Sequence, residues 1–140
     1  MDYNKSEIEK GYAEVRSDNN EVIWVLVTYS DDSKKLLVKT GTKYDDFLAE
    51  LQDHVRAYVY VRIQTGDELS KRQKFAFLTF VGEKVSPMKK AKVSTDKHLV
   101  KQMMPIFACE IYSSDISDFK YDNVKANVQR AGGANYGPGH

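Results

Sequence analysis

The side chains with the clearest chemical potential are basic, and they are concentrated between Lys71 and Lys101. This window, called the basic zone below, holds nine Lys and Arg residues against two acids, Glu83 and Asp96, for a net charge of +7. The rest of the 140-residue chain holds twelve basic and eighteen acidic residues, for a net charge of −6. A basic zone beside an acidic remainder is typical of a surface that binds an anionic partner.

The basic zone contains two groups of candidate binding residues. The first group is predicted to lie at the entry of a strand, where its other possible role is to protect a very apolar strand from aggregation. The second group lies on the helix predicted after Ser86, where its other possible role is that of an ordinary solvated face. The candidates are Lys71, Arg72 and Lys74 in the first group, and Lys89, Lys90, Lys92, Lys97 and Lys101 in the second.

Residues that could support catalysis or hold a metal are scattered. The three histidines are far apart and lack the spacing of metal ligands. Cys109, the only cysteine, alternates with apolar residues, so we expect it in the core. No phosphate-binding glycine loop and no nucleophile motif is present. The sequence therefore predicts no enzyme, no cofactor and no metal site.

The elements that would position the basic groups follow from periodicity. Dense apolar runs predict strands over residues 22–29, 56–64, 74–81 and 106–112, with residues 35–40 as a hairpin partner of the first. Helices are predicted over residues 6–16, around 45–51, from Ser86 to Pro105, and over about 118–130. Ser6 and Glu9 read as a capping box, and Ser86 as an N-cap followed by Pro87.

Several strands are apolar on both faces, which requires cover on both sides. In the strand over residues 74–81, Phe75 and Phe77 point one way and Ala76, Leu78 and Phe80 the other. We therefore expect an α+β protein with a three-layer sandwich, in which helices flank a central mixed sheet.

The orientation of the helix after Ser86 is also predicted from spacing. At 100° per residue, five residues fall on one side of the helix and form a mostly apolar stripe that should face the sheet. Lys90, Lys97 and Lys101 fall on the opposite side. The residues of that stripe are Met88, Ala91, Thr95, Leu99 and Met103.

The run from Lys74 to Phe80 is similar to the RNP1 motif of RNA-recognition domains, whose aromatic residues stack bases. The glycine of that motif is missing, and the element order differs from that fold. Aromatic residues covered on both faces cannot stack bases, so we do not expect RNA binding by this strand.

Composition and length are those of one soluble globular domain, with 41% apolar and 29% charged residues. The longest apolar run, residues 22–27, is too short to span a bilayer, and no apolar signal segment opens the chain. We expect a single domain over residues 1–131, a flexible tail over residues 132–140, and a cytoplasmic location.

Six short motifs in a fixed order carry a resemblance to a known family. They are Val22-Ile23-Trp24-Val25, Thr65-Gly66-Asp67, Ser70-Lys71-Arg72-Gln73-Lys74-Phe75-Ala76, Val81-Gly82-Glu83, Thr95-Asp96-Lys97 and Ala131-Gly132-Gly133-Ala134-Asn135-Tyr136. In this combination the chain resembles the coactosins, small members of the actin-depolymerising-factor homology family that also holds cofilin. The resemblance covers essentially the whole chain.

The resemblance implies a function and a site. It implies binding to the sides of filamentous actin, opposition to filament capping, and no cofilin-like severing or depolymerisation. Lys74 matches the family lysine implicated in filament binding, and Lys89, Lys90 and Lys92 lie on the helix that matches the family's main actin-contacting helix. We expect a monomer associated with the actin cytoskeleton. The alternative is an electrostatic binder of nucleic acid or acidic lipid through the same basic zone.

Overall fold

A computed structural model describes residues 1–66 and 71–134 of the chain. These residues form five strands and four helices, with a 3₁₀ turn before the last helix. In chain order they are α1 (Lys5–Arg16), β1 (Trp24–Tyr29), β2 (Leu36–Gly41), α2 (Tyr44–Leu48), β3 (Arg56–Gly66), β4 (Lys71–Val81), α3 (Pro87–Met103), β5 (Cys109–Ser113), the 3₁₀ turn (Ile116–Phe119) and α4 (Tyr121–Ala134).

The five strands form one mixed sheet in the order β2-β1-β3-β4-β5. The first four are antiparallel to their neighbours, and β5 runs parallel to β4. The β3–β4 pair is the longest ladder and runs from Arg56 opposite Val81 to Gly66 opposite Lys71. The predicted α+β class with a central mixed sheet is confirmed.

Helices cover both faces of this sheet, as the strand patterns predict. Tyr58, Tyr60 and Phe77 pack against α1 and α3 on one face. On the other face Val59, Val61 and Leu78 pack against α2 and α4. The predicted division of side chains on β4 between the two faces is therefore correct, and the molecule is a three-layer sandwich.

The start of α1 differs from the prediction. Ser6 is not the cap; the helix begins at Lys5 after Asn4, whose backbone is left-handed with φ 53°. The Asn4 side chain donates a hydrogen bond to the Leu36 carbonyl at 3.2 Å, and its backbone N–H donates to Asp2 Oδ1 at 2.8 Å. Asparagine tolerates this conformation better than most residues. Attachment of the N-terminal residues to β2 therefore sets where the chain enters the helix.

Near the C-terminus the elements begin and end later than predicted. β5 begins at Cys109 rather than Ile106, since the Ile106 carbonyl accepts hydrogen bonds from Tyr60 Oη and Arg16 instead of a strand partner. α4 begins after the 3₁₀ turn and continues to Ala134, beyond the expected end near Arg130. Residues 135–140 of the expected tail lie outside the described residues. No helix in the described part of the chain is long and apolar enough to cross a membrane.

Candidate functional site

The helix that carries most of the candidate residues begins as predicted. The Ser86 hydroxyl accepts a hydrogen bond from the Lys89 backbone N–H at 3.3 Å, and Pro87 occupies the first turn. Such a cap satisfies one of the free N–H groups at the helix start. The cap fixes Met88, Lys89 and Lys90 in the first turn of α3.

The rotation of α3 about its axis is not the predicted one. The structure buries Val93, Asp96, Val100 and Met103 against the sheet. Of the stripe expected there, Met103 alone is buried: Met88 is 84% exposed, Leu99 is 38% exposed, and Ala91 and Thr95 are also exposed. The helix is rotated by about 100°, or one residue, from the expected position. The prediction that Lys90, Lys97 and Lys101 lie opposite the sheet is consequently wrong, because all three are half-buried along one flank.

The physical reason for the rotation is a polar group in the core. Asp96 is only 1% exposed and accepts hydrogen bonds from Tyr29 Oη at 2.7 Å, Tyr3 Oη at 3.2 Å and Lys92 Nζ at 3.1 Å. A buried carboxylate is tolerated where hydrogen bonds and a charge partner compensate for lost hydration. Apolar periodicity places an aspartate on the solvent side, so it could not find this orientation.

Three of the candidate lysines are paired within the molecule. Lys97 Nζ lies 3.2 Å from Glu110 Oε2, and Lys101 Nζ lies 2.8 Å from Glu110 Oε1. Burial alone would raise the pKa of Glu110, but the hydrogen bonds and positive charges of the two lysines outweigh it and hold that pKa below its ordinary value. Lys97 and Lys101 are therefore engaged with β5. Lys92 is likewise engaged, through Asp96.

The lysines at the start of α3 are arranged differently. Lys89 is exposed and Lys90 half-buried. Within residues 1–66 and 71–134, no carboxylate forms an ion pair with either of them. They directly follow the exposed Met88 in the first turn of α3. This first turn combines uncompensated positive charge with an exposed apolar side chain, a composition suited to a partner surface.

Lys74, in the strand group, lies on a different layer from the helix group. Lys74 is exposed and stands opposite Ile63, on the β4 face shared with Ala76 and Leu78, which pack against the α2 and α4 layer. α3 covers the other face, so the structure divides the basic zone between the two sides of the sheet. The backbones of Lys71 and Arg72 pair with Gly66 and Thr65, while their side chains lie outside what the structure describes.

Arg130, which the sequence reasoning missed, lies in the same layer as Lys74. It is exposed on α4, and its positive charge acts on Cys109, whose thiol pKa is raised by burial and partly lowered again by this charge. Cys109 pairs with Ala76, two residues from Lys74 on β4. Arg130 therefore adds positive charge on α4, in the layer that also holds Lys74. The sequence carries no pattern that links an isolated arginine on α4 to β4.

The aromatic residues of β4 are covered. Phe77 and Phe80 are buried, and Phe75 stacks on Tyr60 with ring centroids 5.4 Å apart and lies under the Arg16 guanidinium. They offer no open platform for bases, which agrees with the expectation against RNA binding by this strand. Among the described residues, no group of three or more His, Cys, Asp or Glu side chains is placed to hold a metal ion.

Comparisons with known proteins agree with this architecture. The family model for cofilin/tropomyosin-type actin-binding proteins matches residues 1–129. The coactosin-like protein of Bos taurus is 42% identical over 132 residues, which cover 94% of this chain and 92% of that protein.

Solved structures give the same result. A crystal structure of human coactosin-like protein has a TM-score of 0.85 at 37% identity and covers 93% of this chain and 98% of that chain. The solution structure of mouse coactosin, described as an actin filament binding protein, has a TM-score of 0.79 at 38% identity, with 97% and 95% covered. The chain therefore belongs to the family of cofilin/tropomyosin-type actin-binding proteins, the actin-depolymerising-factor homology family, and within that family it is similar to the coactosins.

Proposed function

We propose that this protein binds the sides of actin filaments. The observation that supports this most is the first turn of α3, where Lys89 and Lys90 have no ion-pair partner among the described residues and follow the exposed Met88. Membership of an actin-binding family and the similarity to a mouse protein described as filament-binding point in the same direction.

The division of the basic zone supports a filament rather than a single actin molecule as the partner. The α3 group lies on one layer of the sandwich, while Lys74 of the strand group and Arg130 of α4 lie on the other. Two separate contact areas can engage two neighbouring subunits of a polymer, and the second contact then forms at a high effective concentration. Positive charge facing the acidic surface of actin also raises the rate of association.

The proposal also excludes several activities. We expect no severing, no depolymerisation and no catalytic activity, with opposition to filament capping as a consequence of side binding. We expect the protein to act as a monomer in the cytoplasm, on the actin cytoskeleton. Lys97 and Lys101 contribute less than the other candidates, because Glu110 already neutralises part of their charge.

The second candidate function is electrostatic binding of nucleic acid or acidic lipid through the same basic zone. The net charge of +7 between residues 71 and 101 favours it. A purely electrostatic site has no use for an exposed methionine next to its lysines, whereas a protein interface gains from burying one. The exposure of Met88 therefore favours actin over nucleic acid or acidic lipid as the partner.

Co-sedimentation with polymerised actin at near-physiological salt tests the proposal. We expect the wild-type protein to pellet with filaments and to leave their amount and length unchanged. Lys74→Ala should weaken pelleting without altering the thermal unfolding curve. Lys43→Ala, an exposed lysine outside the basic zone, is the matched control and should behave as wild type.

Two further outcomes would decide against the proposal. A protein that stays in the supernatant with filaments but binds single-stranded RNA or phosphatidylserine vesicles supports the second candidate. Filament binding that is constant from low to high salt contradicts the charge argument, since exposed charges are screened beyond about 8 Å at physiological ionic strength.

A further inference from the structure

The buried Asp96 carboxylate joins three parts of the chain that are distant in sequence. It lies on the buried face of α3 and accepts hydrogen bonds from Tyr29 on β1 and from Tyr3 in the N-terminal segment, defined here as residues 1–4. Burial raises the pKa of Tyr29, so its hydroxyl keeps the proton that it donates to Asp96. A buried carboxylate with specific donors orients the elements that supply them.

Apart from Tyr3, the N-terminal segment is held mainly by backbone bonds to β2. The Asp2 N–H donates to the Lys34 carbonyl and the Leu36 N–H donates to the Asp2 carbonyl, both at 2.9 Å. These bonds lie at the edge of the sheet, where local opening costs little free energy. Tyr3 provides the connection from this segment across to α3.

That connection shapes a surface beside the proposed actin contact. Met1 and Leu99 line one groove between the N-terminal segment and α3, and they are 45% and 38% exposed. Leu99 lies on the same stripe of α3 as Met88, eleven residues or about three turns further on. Apolar side chains in one continuous strip bury more surface against a partner than the same side chains apart.

We propose that Asp96 is a positioning residue for actin binding: through Tyr3 it holds the N-terminal segment against α3, so that Met1 and Leu99 extend the apolar contact that Met88 begins. This inference rests on the proposed function. Asp96 itself is buried and does not touch the partner; it acts through Tyr3.

Tyr3→Phe tests the inference, because it removes one hydroxyl and leaves the ring. Amide hydrogen exchange at Asp2 and Leu36 reports whether the segment stays docked, and filament co-sedimentation reports binding. We expect both amides to exchange faster in Tyr3→Phe while amides of β3 are unchanged, and filament affinity to fall by about fivefold, the size expected for the net effect of one ordinary hydrogen bond. Tyr44→Phe is the matched control, since it removes a buried tyrosine hydrogen bond, to the Phe119 carbonyl, in the opposite layer.

Asp96→Asn and the double variant sharpen the test. If Tyr3 acts through Asp96, adding Tyr3→Phe to Asp96→Asn should weaken filament binding by less than the product of the two single effects. Full additivity, or unchanged exchange at Asp2 and Leu36 in Tyr3→Phe, would overturn the inference. So would faster exchange with unaltered filament affinity. If the wild-type protein does not pellet with filaments at all, the proposed function itself fails. If the wild-type protein pellets but one of the outcomes above is observed, only the inference about Asp96 fails.

Discussion

The two halves of α3 carry similar numbers of lysines but hold them in different states. In the N-terminal half Lys92 pairs with Asp96, but Lys89 and Lys90, which follow an exposed methionine, have no carboxylate partner within the described residues. In the C-terminal half Lys97 and Lys101 share Glu110 of β5. The availability of a lysine to a partner therefore depends on what the neighbouring strand places beside it, not on the density of lysines along the helix.

The difference concerns binding more than stability. Ion pairs at partly exposed positions contribute at most about 1 kcal/mol to folding. Glu110 nevertheless reduces the charge that the C-terminal half offers to an acidic surface, and a partner that recruits these lysines must first separate them from Glu110. We therefore expect the two halves to differ in binding energy although their sequences look alike.

The largest expected effect tests the rotation of α3 on which this comparison depends. Met103→Ala removes a side chain that is buried in the core and should destabilise the protein by about 2–5 kcal/mol. Leu99→Ala truncates a side chain that is 38% exposed and should change stability by no more than about 0.5 kcal/mol. Urea unfolding measures both, and the reverse ranking would show that the helix is turned the other way.

The second-largest expected effect concerns filament binding by the lysines in the N-terminal half of α3. Lys89→Ala combined with Lys90→Ala should weaken filament binding by about tenfold or more, since it removes two positive charges that no described carboxylate compensates. Co-sedimentation across a range of filament concentrations gives the affinity, and a melting curve close to that of wild type excludes unfolding. An affinity equal to that of wild type would remove these lysines from the site.

Met88→Ala separates the apolar part of the same turn from its charge. Truncation of an apolar side chain that becomes buried in an interface costs about 1 kcal/mol or more, so filament affinity should fall by about fivefold. Because Met88 is 84% exposed in the free protein, the free energy of unfolding should stay the same. Binding that falls at low salt and at high salt alike would confirm an apolar contribution, while a Met88→Ala protein that binds as wild type would contradict it.

The smallest effect is expected in the C-terminal half. Lys97→Ala combined with Lys101→Ala should change filament affinity by about twofold or less, because Glu110 already pairs with both lysines. Glu110→Gln releases them and should strengthen binding slightly at low salt. A tenfold loss in the double lysine variant would mean that filaments displace Glu110, and the comparison between the halves would then fail.

The sheet could be predicted from the sequence because its strands alternate without ambiguity. In β3 and β4 most inward positions on both faces are apolar or aromatic, with Arg56, Thr65 and Thr79 as buried exceptions. The period of two therefore assigns Tyr58 and Phe77 to one side and Val59 and Leu78 to the other. The N-cap at Ser86 could also be predicted, because it depends only on two adjacent residues, Ser86 and Pro87.

The candidate site was predictable in part. The basic groups are visible as charge in the sequence, and their assignment to actin came from a resemblance. The rotation of α3 was not predictable, because Asp96 is stabilised in the core by Tyr3 and Tyr29, which lie far away in sequence. The pairing of Lys97 and Lys101 with Glu110 likewise depends on how β5 packs beside α3, which spacing within the helix does not encode.

Lysine labelling followed by mass spectrometry, on the free protein and on the protein saturated with actin filaments, tests the central claim most directly. We predict that filaments protect Lys89, Lys90 and Lys74 several-fold, and that Lys97, Lys101 and the control Lys43 change little. Protection of Lys97 and Lys101 with Lys89 and Lys90 still fully reactive would contradict the proposed surface.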